Sequence, residues 1–460
     1  MPLHRLPEYC GSGAAGSRTT TGRSPSAASV NIPASLPALA HSLRSGALPL
    51  PAYIAHLAAQ FAAREADVHA FMPEPARFER LRQDARELEA RHPNPAARPA
   101  LFGVALGIKD IFHVDGFATT GGSRLPLEVL RGAEAPSVMR LKQAGALMLG
   151  KTVSTEFAYF GPGATCNPHS PAGQPHTPGG SSSGSAAAVA AGLAPLTLGT
   201  QTIGSIVRPA AYCGVVGFKP SYDRVPRAGV IALAPSLDHV GVFAADVAGV
   251  QLAAGLLANS WNTTTAVAHK TVFGIPEGPY LERATPEMLA HFRATAQKLA
   301  AAGCVLKSVN LLQDFAALRE RHYLITAAEA ARVHAGWFAQ YRDLYHFKTV
   351  ELLERGATIS DAQLSQALRS CPALRTELTQ VMEREHIDVW ISPAAQGPAP
   401  AGLESTGDPV MNLPWTHAGM PAVSLPSGTI AGLPVGLQLA GGWQADELLL
   451  ARALMVEQII

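Results

Sequence analysis

Apolar residues recur at helical spacing from Leu36 to about Arg91, where Ala55, Leu57, Ala58, Phe61 and Ala62 are expected to share one face. A second helix is expected from about Pro75 to Arg91, ended by the turn Arg91 to Arg98. The pattern then shortens into strand-length apolar runs. Phe102 to Ile108 reads as a strand that delivers Lys109 at its end, Pro136 to Ala144 as a helix, and Ala146 to Leu149 as a further strand. An alanine helix over Ala186 to Ala191 leads into an apolar strand, Ala194 to Leu198. Further on, Thr271 to Ile275 reads as a strand. A helix with Thr285 as cap and Pro286 at its first position is expected to bury Leu289, Phe292, Ala296 and Leu299 and to stop at Gly303. Val305 to Val309 completes a β-α-β unit, and residues 311 to 385 are mostly helical. Strands alternating with helices predict an α/β chain, and 460 residues suit one large domain.

Two serine-bearing glycine turns stand at the ends of the alanine helix and its strand. TPGGSSSGS runs from Thr177 to Ser185, and GTQTIGSIVRPAAYCGVVGFKPS begins at Gly199. Glycine turns let backbone N–H groups approach a reacting oxyanion. A serine hydroxyl is a weak nucleophile until a base takes its proton, so a base must come from elsewhere in the chain.

These blocks, with GVALGIKDIF around Lys109 and GLPVGLQLAGG from Gly432 to Gly442, resemble the amidase signature family of serine hydrolases. The resemblance runs from about Pro51 to the C-terminus. It implies a single large α/β domain with a mixed central sheet flanked by helices. It also implies a triad of nucleophilic Ser205, cis-peptide Ser181 and Lys109, with the N–H groups of Thr202, Ile203, Gly204 and Ser205 as oxyanion hole. The activity implied is hydrolysis of a small or medium amide, with no metal or cofactor. The motif block would span 100–221, and helices over about 311–385 would line the substrate pocket; no residue is assigned to substrate binding. The second function class is an assembly-dependent or non-catalytic subunit, such as the glutaminase component of a transamidation complex.

Four positions depart from the family pattern GTDTGGSIR and its flank. Gln201 replaces Asp, Ile203 replaces Gly, arginine falls at Arg208 instead of 207, and Ser183 stands where glycine is common. Ile203 requires the turn to run at φ < 0, because a β-branched residue does not take φ > 0 cheaply.

Rival motifs are weaker. Gly145 to Thr152 has the Walker A spacing, yet its four intervening residues look like strand instead of a flexible phosphate loop. Gly180-Ser181-Ser182-Ser183-Gly184 fits GxSxG, which would make Ser182 the nucleophile, but no apolar strand precedes it. His169 and His176 read as loop residues near the mouth of the site, and Cys213 as a packed residue. Trp337, Phe338, Tyr341 and Tyr345 are either pocket aromatics or, more simply, helix packing.

Charge and composition narrow the setting. Lys plus Arg number 36 against 35 Asp plus Glu, so nothing steers the chain to nucleic acid or an anionic membrane. Five scattered cysteines (Cys10, Cys166, Cys213, Cys304, Cys371), with no CxxC pair, indicate neither a disulfide framework nor a zinc site and suit a reducing cytoplasm. Expected partners are a small-molecule amide and, at most, a second copy of the chain as a homodimer. Residues 1–30 are rich in Ser and Arg and poor in acids. They are expected to be a disordered or mis-started extension, the other reading being a transit peptide.

Overall fold

A computed structural model describes residues 32–262 and 270–460; the proposed extension over 1–30 lies outside them. The backbone is organised by one ten-stranded mixed sheet. Its strands are β1 (Ala105–Lys109), β2 (Leu147–Thr152), β3 (Leu196–Gln201), β4 (Val216–Lys219) and β5 (His239–Ala244). The second half supplies β6 (Val272–Glu277), β7 (Val305–Asn310), β8 (Val389–Pro393), β9 (Ala422–Ile430) and β10 (Leu433–Gly441). The spatial order is β2-β1-β3-β5-β4-β9-β10-β8-β6-β7. Parallel pairs at each end (β2–β1–β3 and β8–β6–β7) enclose an antiparallel centre. Most strands are buried along their whole length, which is why they read as apolar runs instead of alternating patterns. Only the edge strand β7 is largely open.

The β-α-β unit is present: the helix Pro286–Ala301 connects parallel β6 and β7, with the Thr285 hydroxyl accepting from Met288 N–H. Met288, not Leu289, is the buried residue of its first turn; Leu289 is half-buried. The N-terminal pattern resolves into three helices, Leu36–Ser45, Leu50–Val68 and Arg77–Arg91. The inward face of the second is Leu50, Tyr53, Ile54, Leu57 and Phe61, while Ala55 and Ala62 are exposed. The larger side chains set the helix's rotation because they bury more apolar surface than alanine. Strand β1 starts three residues later than expected, after a turn in which Gly103 has φ +76°. Strand β2 runs on through Gly150 and Lys151 to Thr152. The Walker-spaced segment is therefore strand, with no helix beginning at its lysine.

Candidate active site

The serine run is decoded by its hydrogen bonds. Three of its hydroxyls fasten the helix Ser183–Ala190 to its surroundings. Ser182 Oγ donates to Thr200 O at 3.1 Å, Ser185 Oγ to Leu198 O at 2.8 Å, and Ser183 Oγ to Gly179 O at 2.9 Å. The helix needs such ties because it is small-sided and buried on every face. Ser182, fully buried and also accepting from Thr200 N–H, sits on no strand-to-helix elbow. Ser181 remains, and it follows a cis Gly180–Ser181 peptide.

Lys109 reaches Ser181 from the end of β1. Its Nζ lies 2.7 Å from Ser181 Oγ and 2.7 Å from Thr200 Oγ1 on the adjacent β3. The lysine is fully buried and forms no ion pair with a described residue. Burial therefore holds its ammonium well below the ordinary lysine range, with the Asp238 carboxylate partly offsetting that effect. Lys151, two strands from Thr200, is a useful contrast: its Nζ is paired with Asp110 at 2.8 Å. Burial also lifts Asp238 to about 6, although Thr202 Oγ1 and the N–H groups of Leu233 and Ala234 all donate to it.

Ser205 stands in the turn between β3 and the helix Val207–Cys213. Gln201 organises that turn. Its Oε1 accepts from Ile206 N–H at 2.8 Å and Val207 N–H at 3.0 Å, capping the helix as a carboxylate would. Its Nε2 donates to Thr416 Oγ1, which itself donates to Ile203 O at 2.7 Å. Ile203 keeps φ out of the positive region, as its side chain demands. Gly204 is required by space: a Cβ there would lie 2.3 Å from Asn412 Oδ1. Among the described residues, no backbone hydrogen bond uses the N–H groups of Thr202, Ile203, Gly204 or Ser205.

Ser181, Thr202, Ile203, Ser205 and Arg208 line one narrow cavity, closed by Tyr159, Phe160 and Pro409. Its volume of about 10 Å³ admits one small group. Ala158, also on its wall, has φ +61° and Phe157 has φ +46°. Such backbone costs about 1–3 kcal/mol per residue and is held by surrounding structure. Through Tyr159, Phe160 and Pro409 the cavity borders a polar vestibule of about 610 Å³. Through Ala158 it borders an apolar chamber of about 190 Å³ that also touches Thr200 and Asp238.

The other candidates do not meet there. His169 Nε2 bonds Cys213 O, His176 Nδ1 bonds Gln174 O, and neither lines the cavity. Cys213 is fully buried and its thiol is pushed up by burial, so it is packing. Trp337, Phe338 and Tyr345 cluster with Phe157 and His334, away from the cavity wall. The helices of 311–385 do border the vestibule, through Arg319, Tyr323, Lys348 and Arg355. Sequence reasoning missed Thr200, Asp238, Tyr159 and Phe160. Thr200 stood inside the quoted motif, whereas nothing local marked Asp238. Among the described residues no group of three or more His, Cys, Asp or Glu could hold a metal ion.

Fold and site define an α/β amide hydrolase, and comparison with known proteins agrees. The model of the family described as Amidase matches residues 59–450, and the chain belongs to that family. A glutamyl-tRNA(Gln) amidotransferase subunit from Synechococcus sp. (strain RCC307) is 32% identical, over 91% of this chain and 95% of that protein. A solved amidase superposes with TM-score 0.83 at 29% identity, covering 92% of this chain and 99% of that one. The peptide amidase of Stenotrophomonas maltophilia gives 0.75 at 26%, covering 92% and 96%.

Proposed function

We propose that the chain hydrolyses its amide through an acyl-enzyme on Ser205, with Ser181 and Lys109 as the proton relay. Neutral Lys109 donates an N–H to Thr200 and presents its lone pair to the Ser181 hydroxyl. Ser181 passes its proton to Lys109 and takes one from Ser205 as Ser205 Oγ attacks the carbonyl carbon. The tetrahedral oxyanion is held by the N–H groups of Thr202, Ile203, Gly204 and Ser205. Collapse breaks the C–N bond, and the leaving ammonia or amine takes the proton back through Ser181. Water then attacks the ester with the same relay as base and releases the acid. The scheme calls for no metal or cofactor.

The observation that carries this reading is Lys109: buried, without a carboxylate partner, and 2.7 Å from the Ser181 hydroxyl. An ordinary ammonium would be costly there, and a neutral base is not.

The similarity to glutamyl-tRNA(Gln) amidotransferase subunits favours a second reading, in which the chain works only within an assembly. Ammonia release from simple aliphatic, aryl and ureido amides by the purified chain alone separates the two. Release is expected; no release without an added partner would favour the assembly. Cysteine usage supports a cytoplasmic location, and among the described residues no helix is long and apolar enough to cross a membrane.

A further inference from the structure

Arg208 is the unexplained charge of the catalytic cavity. It is 1% exposed and lines the cavity with Ser181 and Ser205. Its Nη2 donates to Gly180 O at 2.6 Å and Thr406 Oγ1 at 3.2 Å, both neutral acceptors. Its Nε and Nη1 have no hydrogen-bond partner, and it forms no ion pair with any described residue. Arginine stays charged, so a buried guanidinium with two idle donors is a standing electrostatic cost. Gln201, earlier in the same turn, supplies no charge to balance it, and its amide is committed to Ile206, Val207 and Thr416. Asp408, the one carboxylate acting on Arg208 through space, accepts from Val410 N–H and faces the vestibule.

The vestibule extends the same bias. Its charged residues are Arg319, Lys348 and Arg355 against Glu351 and Asp408, and the Arg319 Nε is buried without a hydrogen-bond partner. An anion entering there moves toward a second, deeper cation instead of meeting a carboxylate wall.

We propose that Arg208 is a substrate-binding residue that takes a carboxylate of the substrate, so that the preferred substrates are amides carrying a carboxylate a few bonds from the scissile carbonyl. The guanidinium fork offers its idle donors to both oxygens of such a group. The short reach follows from Arg208 and Ser205 lining one narrow cavity. This rests on the Ser205 reading of the site, and the test separates the two.

Succinamate and succinamide differ only in a carboxylate against a neutral amide of the same shape. In Ser205→Ala, which binds without turnover, calorimetry should show succinamate bound about 10- to 100-fold more tightly, the range of charge-assisted hydrogen bonds. The preference should vanish in Ser205→Ala/Arg208→Met and be reduced in Ser205→Ala/Arg208→Lys, which keeps the charge but not the fork. In the parent enzyme, kcat/KM should favour succinamate, and that ratio should collapse in Arg208→Met. Circular dichroism checks folding, and the Lys variant decides if the Met variant does not fold. Equal binding of the two ligands, or a preference that survives loss of Arg208, overturns the proposal. Absent turnover of both amides with the binding preference intact would instead overturn the Ser205 relay.

Discussion

Replacing Lys109 by Met tests the base and predicts opposite signs for activity and stability. A free lysine has a pKa of about 10.4, so keeping it neutral at pH 7.4 costs roughly 4 kcal/mol at 1.36 per unit. Burying Nζ fully, with two hydroxyls and no paired carboxylate around it, makes the neutral form the one favoured in the folded site, so the cost falls on folding stability instead of on the reaction. Removing the base should lower kcat/KM by about 10³-fold or more, which is also about 4 kcal/mol. Met fills similar volume and removes the cost of deprotonation, which outweighs about 1 kcal/mol for each hydrogen bond lost to the Ser181 and Thr200 hydroxyls, so the variant should melt at the same temperature as the parent or higher. The pH dependence has a definite sign. The folded pKa is depressed, so the unfolded chain binds more protons and the parent gains stability as pH rises toward 10.4. The stability advantage of Lys109→Met should therefore shrink over that range. The assay is kcat/KM for a hydrolysed amide from about pH 6 to 10, with thermal melts in the same buffers. The parent should gain rate with pH along a limb centred well below 10.4, and the variant should lack that limb. Full activity in the variant, or an unchanged limb, refutes the reasoning.

Two further substitutions probe the surroundings. Ile203→Gly should keep the N–H donors but loosen the turn, costing about tenfold in rate, about 1.4 kcal/mol. Because Ile203 forms part of the cavity wall, kcat/KM should also shift toward bulkier acyl groups; an unchanged ratio between a small and a bulky amide would leave it a packing residue. Thr200→Val keeps the strand-compatible shape and removes the 2.7 Å partner of Lys109 Nζ, so kcat should fall about tenfold with KM nearly constant. A loss confined to KM would show that Thr200 does not position the base.

What was legible in the chain was what local backbone chemistry dictates. Glycine turns, the alanine helix and the apolar runs marked out helices and strands, and the resemblance to the amidase signature family brought Lys109, Ser181 and Ser205 forward as a set. Partners far apart in the chain were not legible. Gln201 looked like a lost carboxylate, but its compensation by Ile206, Val207 and the distant Thr416 exists only after folding. Asp238 reaches the site because β5 pairs with β3, a register that no motif encodes. The aromatic cluster around Tyr345 went to packing because Phe157 and His334 meet it in the core, while Tyr159 and Phe160 close the cavity instead. Ala55 and Ala62 fit the apolar period yet face outward, since an apolar stripe is assigned by its largest members.

The central claim, that Ser205 is the nucleophile, is tested most directly by treating the enzyme with a fluorophosphonate and mapping the labelled residue by peptide mass spectrometry. Labelling is expected at Ser205, absent in Ser205→Ala and strongly slowed in Lys109→Met. Ser182 should stay unlabelled, being fully buried with its hydroxyl bonded to Thr200 O. A label on Ser182 with Ser205 unmodified would contradict the account.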